Sequence, residues 1–231
     1  ALPHSLLRQI LRGVFSVRYK MSVKGVHHIP WEGPVLLVGN HISFLDWAFL
    51  QMASPRPLRF VIRRQSFEKW YIRLILKQMN VIELDFRKPE EAMALANEAL
   101  KKKEAVVLFP EIAISRTGNV NRFRLDYSLA LKDLSNIKVL PFYIQGLWGS
   151  SYSMSSAGYR ERIHKAGERS VSVAFGELLE AETPIIEVKN KVQELSITAW
   201  EAYIQKLCPM ASSWLRSAKR VGSAPSVFSP D

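Results

Sequence analysis

His41 and Asp46 have side chains able to move a proton, and they stand five positions apart in V-L-L-V-G-N-H-I-S-F-L-D-W-A-F-L, residues 35 to 50, a stretch that is otherwise apolar. Within one continuous helix, positions five apart point about 140° away from each other. The His must therefore precede a helix if its ring is to fold back onto the carboxylate. The residues permit this, because V-L-L-V-G is a buried-strand candidate and S-F-L-D-W-A-F-L-Q-M opens a helix, with Ser43 expected as N-cap and Asp46 at N3 of a capping box. A bare H-x-x-x-x-D pair is open to a purely structural reading, a turn histidine beside a capping carboxylate. Its setting offers a catalytic one. A strand-to-helix junction is where open α/β sheets place ligands, and a carboxylate on one imidazole nitrogen fixes the tautomer and leaves the other as a general base.

A base needs a nucleophile, and the chain offers no protein group in a suitable pattern. Ser43 lacks a G-x-S-x-G elbow, and a serine used as N-cap points at its own backbone. Cys208 is the single cysteine, in a helix-ending L-C-P segment with no His nearby, and reads as a buried thiol; no internal disulfide or cysteine metal cluster can form. His27 and His28 lack zinc-site spacing, and His4 and His164 are isolated. The remaining nucleophile is a hydroxyl on the substrate.

The elements that must position this pair alternate along the chain. Apolar runs near 35, 60 and 82, and at 105 to 109, 139 to 144 and 171 to 175, are separated by helical patterns near 44 to 53, 67 to 79, 89 to 103 and 122 to 133, with a last one at 185 to 207. This is the pattern of an α/β protein with a largely buried β-sheet flanked by helices. The 231 residues, 48% hydrophobic, suit a single domain. Net charge is +11, so the surface should attract an anion: nucleic acid, acidic lipid or an acidic carrier protein. Residues 2 to 17 form an amphipathic basic pattern, with Leu6, Leu7, Ile10, Leu11, Val14 and Phe15 at helical spacing and Arg8, Arg12 and Arg18 interrupting it. Such a helix either docks on its own core or lies in a membrane interface. No apolar run is long enough to span a bilayer. The organisation expected is a membrane-interface helix over 1–20, the main domain over 21–207 and a tail or linker over 208–231, in a chain that is part of a longer multidomain protein.

N-H-I-S-F-L-D, with Asn40, His41 and Asp46, resembles the N-H-x-x-x-x-D motif of the glycerolipid acyltransferases. N-V-I-E-L-D-F-R at 80 to 87 is similar to the family's second block, V-V-L-F-P-E at 106 to 111 to its third, and V-L-P-F-Y-I-Q-G at 139 to 146 to its fourth. The blocks stand in the family's order over roughly residues 5 to 205. The resemblance implies a mixed sheet and transfer of a fatty acyl group from an acyl-CoA or acyl-carrier-protein thioester to a lysophospholipid hydroxyl, at a peripheral site on the cytoplasmic face of a membrane. It implies His41 and Asp46 as catalytic residues, Asn40, Arg87, Glu111 and Arg116 at the acceptor, and neither metal nor cofactor. Oxyanion donors are expected among the backbone N–H groups that start the helix after residue 43.

Two blocks depart from the family's pattern. E-G-T-R of the third block is here Glu111-Ile112-Ala113-Ile114, and Phe86 takes the place of the second block's arginine. An Ile at the glycine position predicts ordinary backbone there or a changed loop. The continuation I-S-R-T-G and the segments F-E-K-W-Y-I-R and G-L-W-G-S are similar to a subgroup, lysophospholipid acyltransferase domains joined to acyl-carrier-protein synthetases. Acceptors bearing a headgroup are then expected, with 1-acylglycerol-3-phosphate acylation, or a membrane-binding domain of weakened activity, as the alternatives. A nucleic-acid surface over R-R-Q-S-F-E-K-W-Y-I-R, 63 to 73, is the competing class. Phe67, Trp70, Tyr71 and Leu74 also fit one side of an amphipathic helix, and that reading, without nucleic acid as partner, is preferred.

Overall fold

The computed structural model describes residues 3–63, 80–134, 136–164 and 168–207. The expected helix after residue 64, Cys208 and the 208–231 tail lie outside the described residues. In chain order the elements are α1 (His4–Ser16), β1 (Tyr19–Lys24), a 3-10 turn (Val26–His28), β2 (Val35–Gly39), α2 (Asp46–Ala53), β3 (Leu58–Arg63), β4 (Ile82–Leu84), α3 (Pro89–Lys101), β5 (Ala105–Leu108), α4 (Ser128–Leu131), β6 (Lys138–Gln145), α5 (Ala157–His164), β7 (Arg169–Phe175), β8 (Leu179–Glu180) and α6 (Ile185–Leu207).

The strands form one mixed sheet in the order β1-β7-β6-β2-β5-β3-β4, with β8 beside β6. β6, β2, β5, β3 and β4 run parallel, while β7 meets β6 antiparallel and carries β1 parallel to itself. All of β2 and β5 is buried, as unbroken Val and Leu runs require when helices cover both faces. Successive side chains alternate between faces. Val35 and Leu37 join a core with Phe49, Leu50, Phe60 and Phe142 under α1 and α2, while Leu36 and Val38 join Met93, Leu100, Val188 and Val192 under α3 and α6. The parallel strands end on one edge, and the loops after β2, β4 and β5 emerge there with His41, Arg87 and Glu111.

The helix expected over 122 to 133 shrinks to Ser128–Leu131. Before it the chain buries Phe123, Leu125 and Tyr127 and exposes Arg122, Arg124 and Asp126, a period of two that the helical reading overrode. β1, β8 and α5 had no place in the sequence reading. Tyr19, Met21 and Val23 of β1 do alternate with polar residues, but A-G-Y-R-E-R-I-H of α5 has no apolar stripe.

α1 docks on the protein's own core, the first of the two expectations for its segment. Leu7, Leu11 and Phe15 pack on the core, whereas Leu6, Ile10, Val14 and Val17 just beyond it are exposed, Val14 by 65% and Val17 by 86%. Half of the apolar arc therefore stays exposed among the described residues. Arg8 corrects the picture of a row of headgroup-facing arginines, because its Nε donates to the Met52 carbonyl at 3.2 Å and ties α1 to the last turn of α2.

Candidate active site

β2 ends at Gly39, and its next two residues begin the site. Asn40 is fully buried, its amide Nδ2 donating to the Ile144 carbonyl at 2.9 Å while the Ile144 N–H donates to its Oδ1 at 2.7 Å. This pair of bonds splices the end of β2 onto β6 just where the ladder runs out. Both polar ends of Asn40, expected at the acceptor, are thereby bonded to the Ile144 backbone.

His41 then leaves the sheet, and its Nδ1 lies 2.8 Å from Asp46 Oδ2. The same oxygen accepts the N–H groups of Ile42 at 2.8 Å and Ser43 at 3.0 Å. Asp46 is completely buried, and its other oxygen, Oδ1, has no hydrogen-bond partner among the described residues. Since a carboxylate accepts, the His41 proton resides on Nδ1 and Nε2 presents a lone pair. The ring stacks on Phe109 at 4.4 Å between centroids, and 21% of the side chain remains exposed. The expected capping box is shifted: α2 begins at Asp46, while Ser43 Oγ accepts from Leu45 N–H and also donates to the Tyr152 carbonyl. Asp46 thus folds the Ile42–Ser43 turn toward the helix, the geometry that points the imidazole back at it.

Glu111, at the end of β5's loop entry, is 3% exposed and spends both oxygens on backbone. Oε1 accepts the His41 N–H at 3.0 Å and Oε2 the Asn121 N–H at 2.9 Å. Burial pushes its carboxyl above the usual range, opposed by those two bonds. The expected acceptor residue is in this structure a brace between His41 and the loop that follows β5. That loop is fixed again by Ser115, whose N–H donates to the His41 carbonyl at 2.7 Å. Arg116 and Arg87 are both exposed at the same sheet edge. They reach it from different loops, after β5 and β4, and β3 lies between those two strands.

A family model described as Acyltransferase matches residues 20–145, more than half of the chain. This chain belongs to the acyltransferase family. It is 27% identical over 157 residues to the chloroplastic 1-acyl-sn-glycerol-3-phosphate acyltransferase of Arabidopsis thaliana, covering 64% of this chain and 43% of that protein. A 1-acyl-sn-glycerol-3-phosphate acyltransferase of Borreliella burgdorferi is 25% identical over 128 residues, 54% of this chain and 51% of the relative. The chain thus spans about half the length of the curated relatives it matches. The crystal structure of a 1-acyl-sn-glycerophosphate acyltransferase from Thermotoga maritima shares the fold with a TM-score of 0.65 and 19% identity, over 83% of this chain and 76% of that one.

Within this member of the family the departures from the family's blocks acquire physical form. Ile112 has φ +71°, so the turn from Phe109 holds a β-branched residue in the left-handed conformation; of the two expectations, ordinary backbone or a changed loop, the backbone is not the ordinary one. Such a conformation costs an L-residue roughly 1–2 kcal/mol. It is held by the Ile112 N–H bond to the Phe109 carbonyl, by the flanking Glu111 brace, and by packing of the Ile112 side chain on the α3-side core. Where Phe86 replaces an arginine, the guanidinium of Arg63 from the end of β3 lies 4.8 Å from its ring centroid. Sequence reasoning missed Arg63, which is not adjacent to any block; only the β3–β4 pairing brings it there.

Of the amides around the start of the helix, those up to Asp46 are already bonded within the protein. His41 N–H is bonded to Glu111, Ile42 and Ser43 N–H to Asp46, Phe44 N–H to the Tyr152 carbonyl, Leu45 N–H to Ser43 Oγ and Asp46 N–H to the Ser43 carbonyl. Every amide from 41 to 46 already has an acceptor. Those N–H groups build the turn that holds the dyad.

Proposed function

We propose that the chain transfers a fatty acyl group from a thioester to the free hydroxyl of a lysophospholipid, with His41 as general base and Asp46 as its orienting carboxylate. The observation that carries this is the 2.8 Å contact between His41 Nδ1 and the buried Asp46 Oδ2, which leaves the other ring nitrogen, Nε2, to act as base on a ring that is still 21% exposed. As the acceptor hydroxyl attacks the thioester carbonyl, Nε2 takes its proton and the imidazolium formed is held by Asp46. Collapse of the tetrahedral intermediate breaks the C–S bond, and the departing thiolate takes the proton back. Ester and free thiol result, and the base is regenerated.

Arg87 and Arg116 are assigned to the acceptor's phosphate, since guanidinium matches phosphate oxygens in pairs and both residues are exposed at the edge where His41 emerges. Ile114 stands where the third block has arginine, which supports headgroup-bearing acceptors and the kinship with domains joined to acyl-carrier-protein synthetases. A second reading, lysophosphatidic acid as acceptor, is supported by the names of the relatives. The chain meets its lipid as a peripheral protein on the cytoplasmic face of an anionic membrane. In support, no helix among the described residues is long and apolar enough to cross a bilayer, and α1 exposes Ile10 and Val14. Phe44, Tyr152 and Met154 are exposed beside the dyad, where Phe44 N–H bonds the Tyr152 carbonyl.

The test is acyl transfer by the purified chain with acyl-CoA and acyl carrier protein donors, offered lysophosphatidic acid and headgroup-bearing lysophospholipids side by side. A higher kcat/KM for the headgroup-bearing acceptors is expected. A preference for lysophosphatidic acid establishes the second reading, and no transfer to any acceptor from either donor refutes both.

A further inference from the structure

Two segments that run on from the third and fourth blocks, I-S-R-T-G at 114 to 118 and G-L-W-G-S at 146 to 150, meet around one side chain. Trp148 Nε1 donates to the Arg116 carbonyl at 3.2 Å. Its indole lies face-on over Gly118, where a Cβ would come within 2.9 Å of the ring, and Gly118 has φ +85°. Only glycine satisfies both the space and the backbone. Beyond the indole stands Tyr159 of α5, its ring centroid 4.7 Å away. Gly149, with φ +83°, leaves room for that phenol, since a Cβ there would lie 2.6 Å from Tyr159 Cε1. Below, Arg169 Nη2 donates to the carbonyls of Gly146 at 2.7 Å and Trp148 at 2.8 Å.

The turn that Trp148 grips is short and otherwise tied at its start. Ser115 N–H bonds the His41 carbonyl, and Ser115 Oγ accepts the Gly118 N–H and donates to the Asn119 carbonyl. Arg116 is carried between these ties, with an exposed side chain and a backbone clamped on one side by the dyad's strand and on the other by Trp148. A long, flexible guanidinium needs a fixed base if it is to meet a phosphate in one geometry without a large loss of rotamer freedom.

We propose that Trp148 is a positioning residue for acceptor recognition, holding the Ser115–Gly118 turn so that Arg116 meets the phosphate of the lysolipid whose hydroxyl faces His41. The proposal rests on the assignment of Arg116 to the acceptor. Trp148 substitutes a side-chain clamp for the glycine and arginine that this loop lacks at 112 and 114. It touches neither the dyad nor the reacting atoms, so its effect belongs to acceptor binding and not to the chemical step.

The experiment is steady-state kinetics with an acyl-CoA donor and lysophosphatidylethanolamine as acceptor, on wild type, Trp148→Phe, Gly118→Ala, Arg116→Gln and the Trp148→Phe/Arg116→Gln pair, with thermal unfolding as a check on folding. Trp148→Phe keeps an aromatic ring beside Tyr159 and loses the N–H donor, whereas Gly118→Ala pushes the ring away from the turn. Both are expected to raise the acceptor KM on the order of tenfold, below the roughly 10²-fold that a 1 Å misplacement can cost, with kcat and the donor KM held within about twofold. The double variant should be no worse than Arg116→Gln alone, because both changes remove one interaction. A fall in kcat with unchanged acceptor KM in Trp148→Phe overturns the proposal, as does additivity in the double variant. If Arg116→Gln raises the acceptor KM while Trp148→Phe and Gly118→Ala do not, the clamp is wrong and the acceptor assignment stands. An unchanged acceptor KM in Arg116→Gln overturns the acceptor assignment, and the proposal with it.

Discussion

Replacing Asp46 by Asn separates the carboxylate's two tasks, folding the turn and supporting the imidazole. The Asn oxygen can occupy the place of Oδ2 and still accept from Ile42 and Ser43 N–H, so the turn keeps its shape. The amide nitrogen then falls where Oδ1 is buried without a partner, and an unsatisfied buried donor costs about 1–3 kcal/mol. Some of that is offset because a charge no longer has to be desolvated. The net loss of stability is expected to stay under about 3 kcal/mol. Activity should suffer more. An imidazolium and a carboxylate with charge centres about 4 Å apart attract by about 4 kcal/mol at an effective dielectric of 20, which in rate is about 10³. That lies inside the roughly 10²–10⁴ range of general-base assistance. Measured with saturating acceptor and donor, kcat of Asp46→Asn should fall about 10³-fold, with urea unfolding reporting the smaller stability change. Combined with His41→Ala, it should add almost nothing to the loss from His41→Ala alone, because the two side chains act as one unit. A kcat within roughly fivefold of wild type, together with a large loss of stability, would show that Asp46 only shapes the turn.

Ile112→Gly is expected to be more stable than Ile112→Ala by about 1 kcal/mol in urea unfolding, since both lose the same packing and only Gly relieves the left-handed backbone; an advantage for Ala would show that position 112 bears no strain. Glu111 has its carboxyl pushed upward by burial, so the stability its protonated form contributes is full below the ordinary carboxylate range and is lost as pH rises through the raised folded value. Wild type should therefore lose stability relative to Glu111→Gln across that acidic window, and a gap that widens in wild type's favour with pH would contradict the burial argument. Replacing Ile10, Val14 and Val17 by Ser should weaken sedimentation with anionic vesicles without unfolding the chain, because these side chains face away from the core; undiminished binding would place the membrane contact elsewhere. Arg8→Gln should instead lower stability, through its lost bond to the Met52 carbonyl, and unchanged unfolding in urea would show that this tie contributes nothing.

The amino-acid sequence by itself determined what depends on neighbours along the chain. The unbroken apolar runs of β2 and β5 announced buried strands, the spacing in α1 announced an amphipathic helix, and a His ahead of a helix-starting Asp announced a dyad. These are signals of period and of local turn geometry, and they act over a handful of residues. Where two periods competed, over 122 to 127, the local signal misled, because burial by distant parts of the chain chose the extended form.

Tertiary structure alone decided how the dyad is held. Glu111 lies 70 positions from His41 and Ile144 lies 104 from Asn40, yet each pair closes a hydrogen bond. Motif position placed Glu111 and Asn40 at the substrate, whereas the fold turns their polar atoms onto backbone. The reason is that a buried carboxylate or amide must find partners wherever the chain brings unpaired N–H and C=O groups. At the ends of β2 and β5 those groups are supplied by strand order, which no local pattern encodes. Arg63 over Phe86 and Trp148 over Gly118 arise in the same way, from strands and loops that become neighbours only when the sheet is assembled.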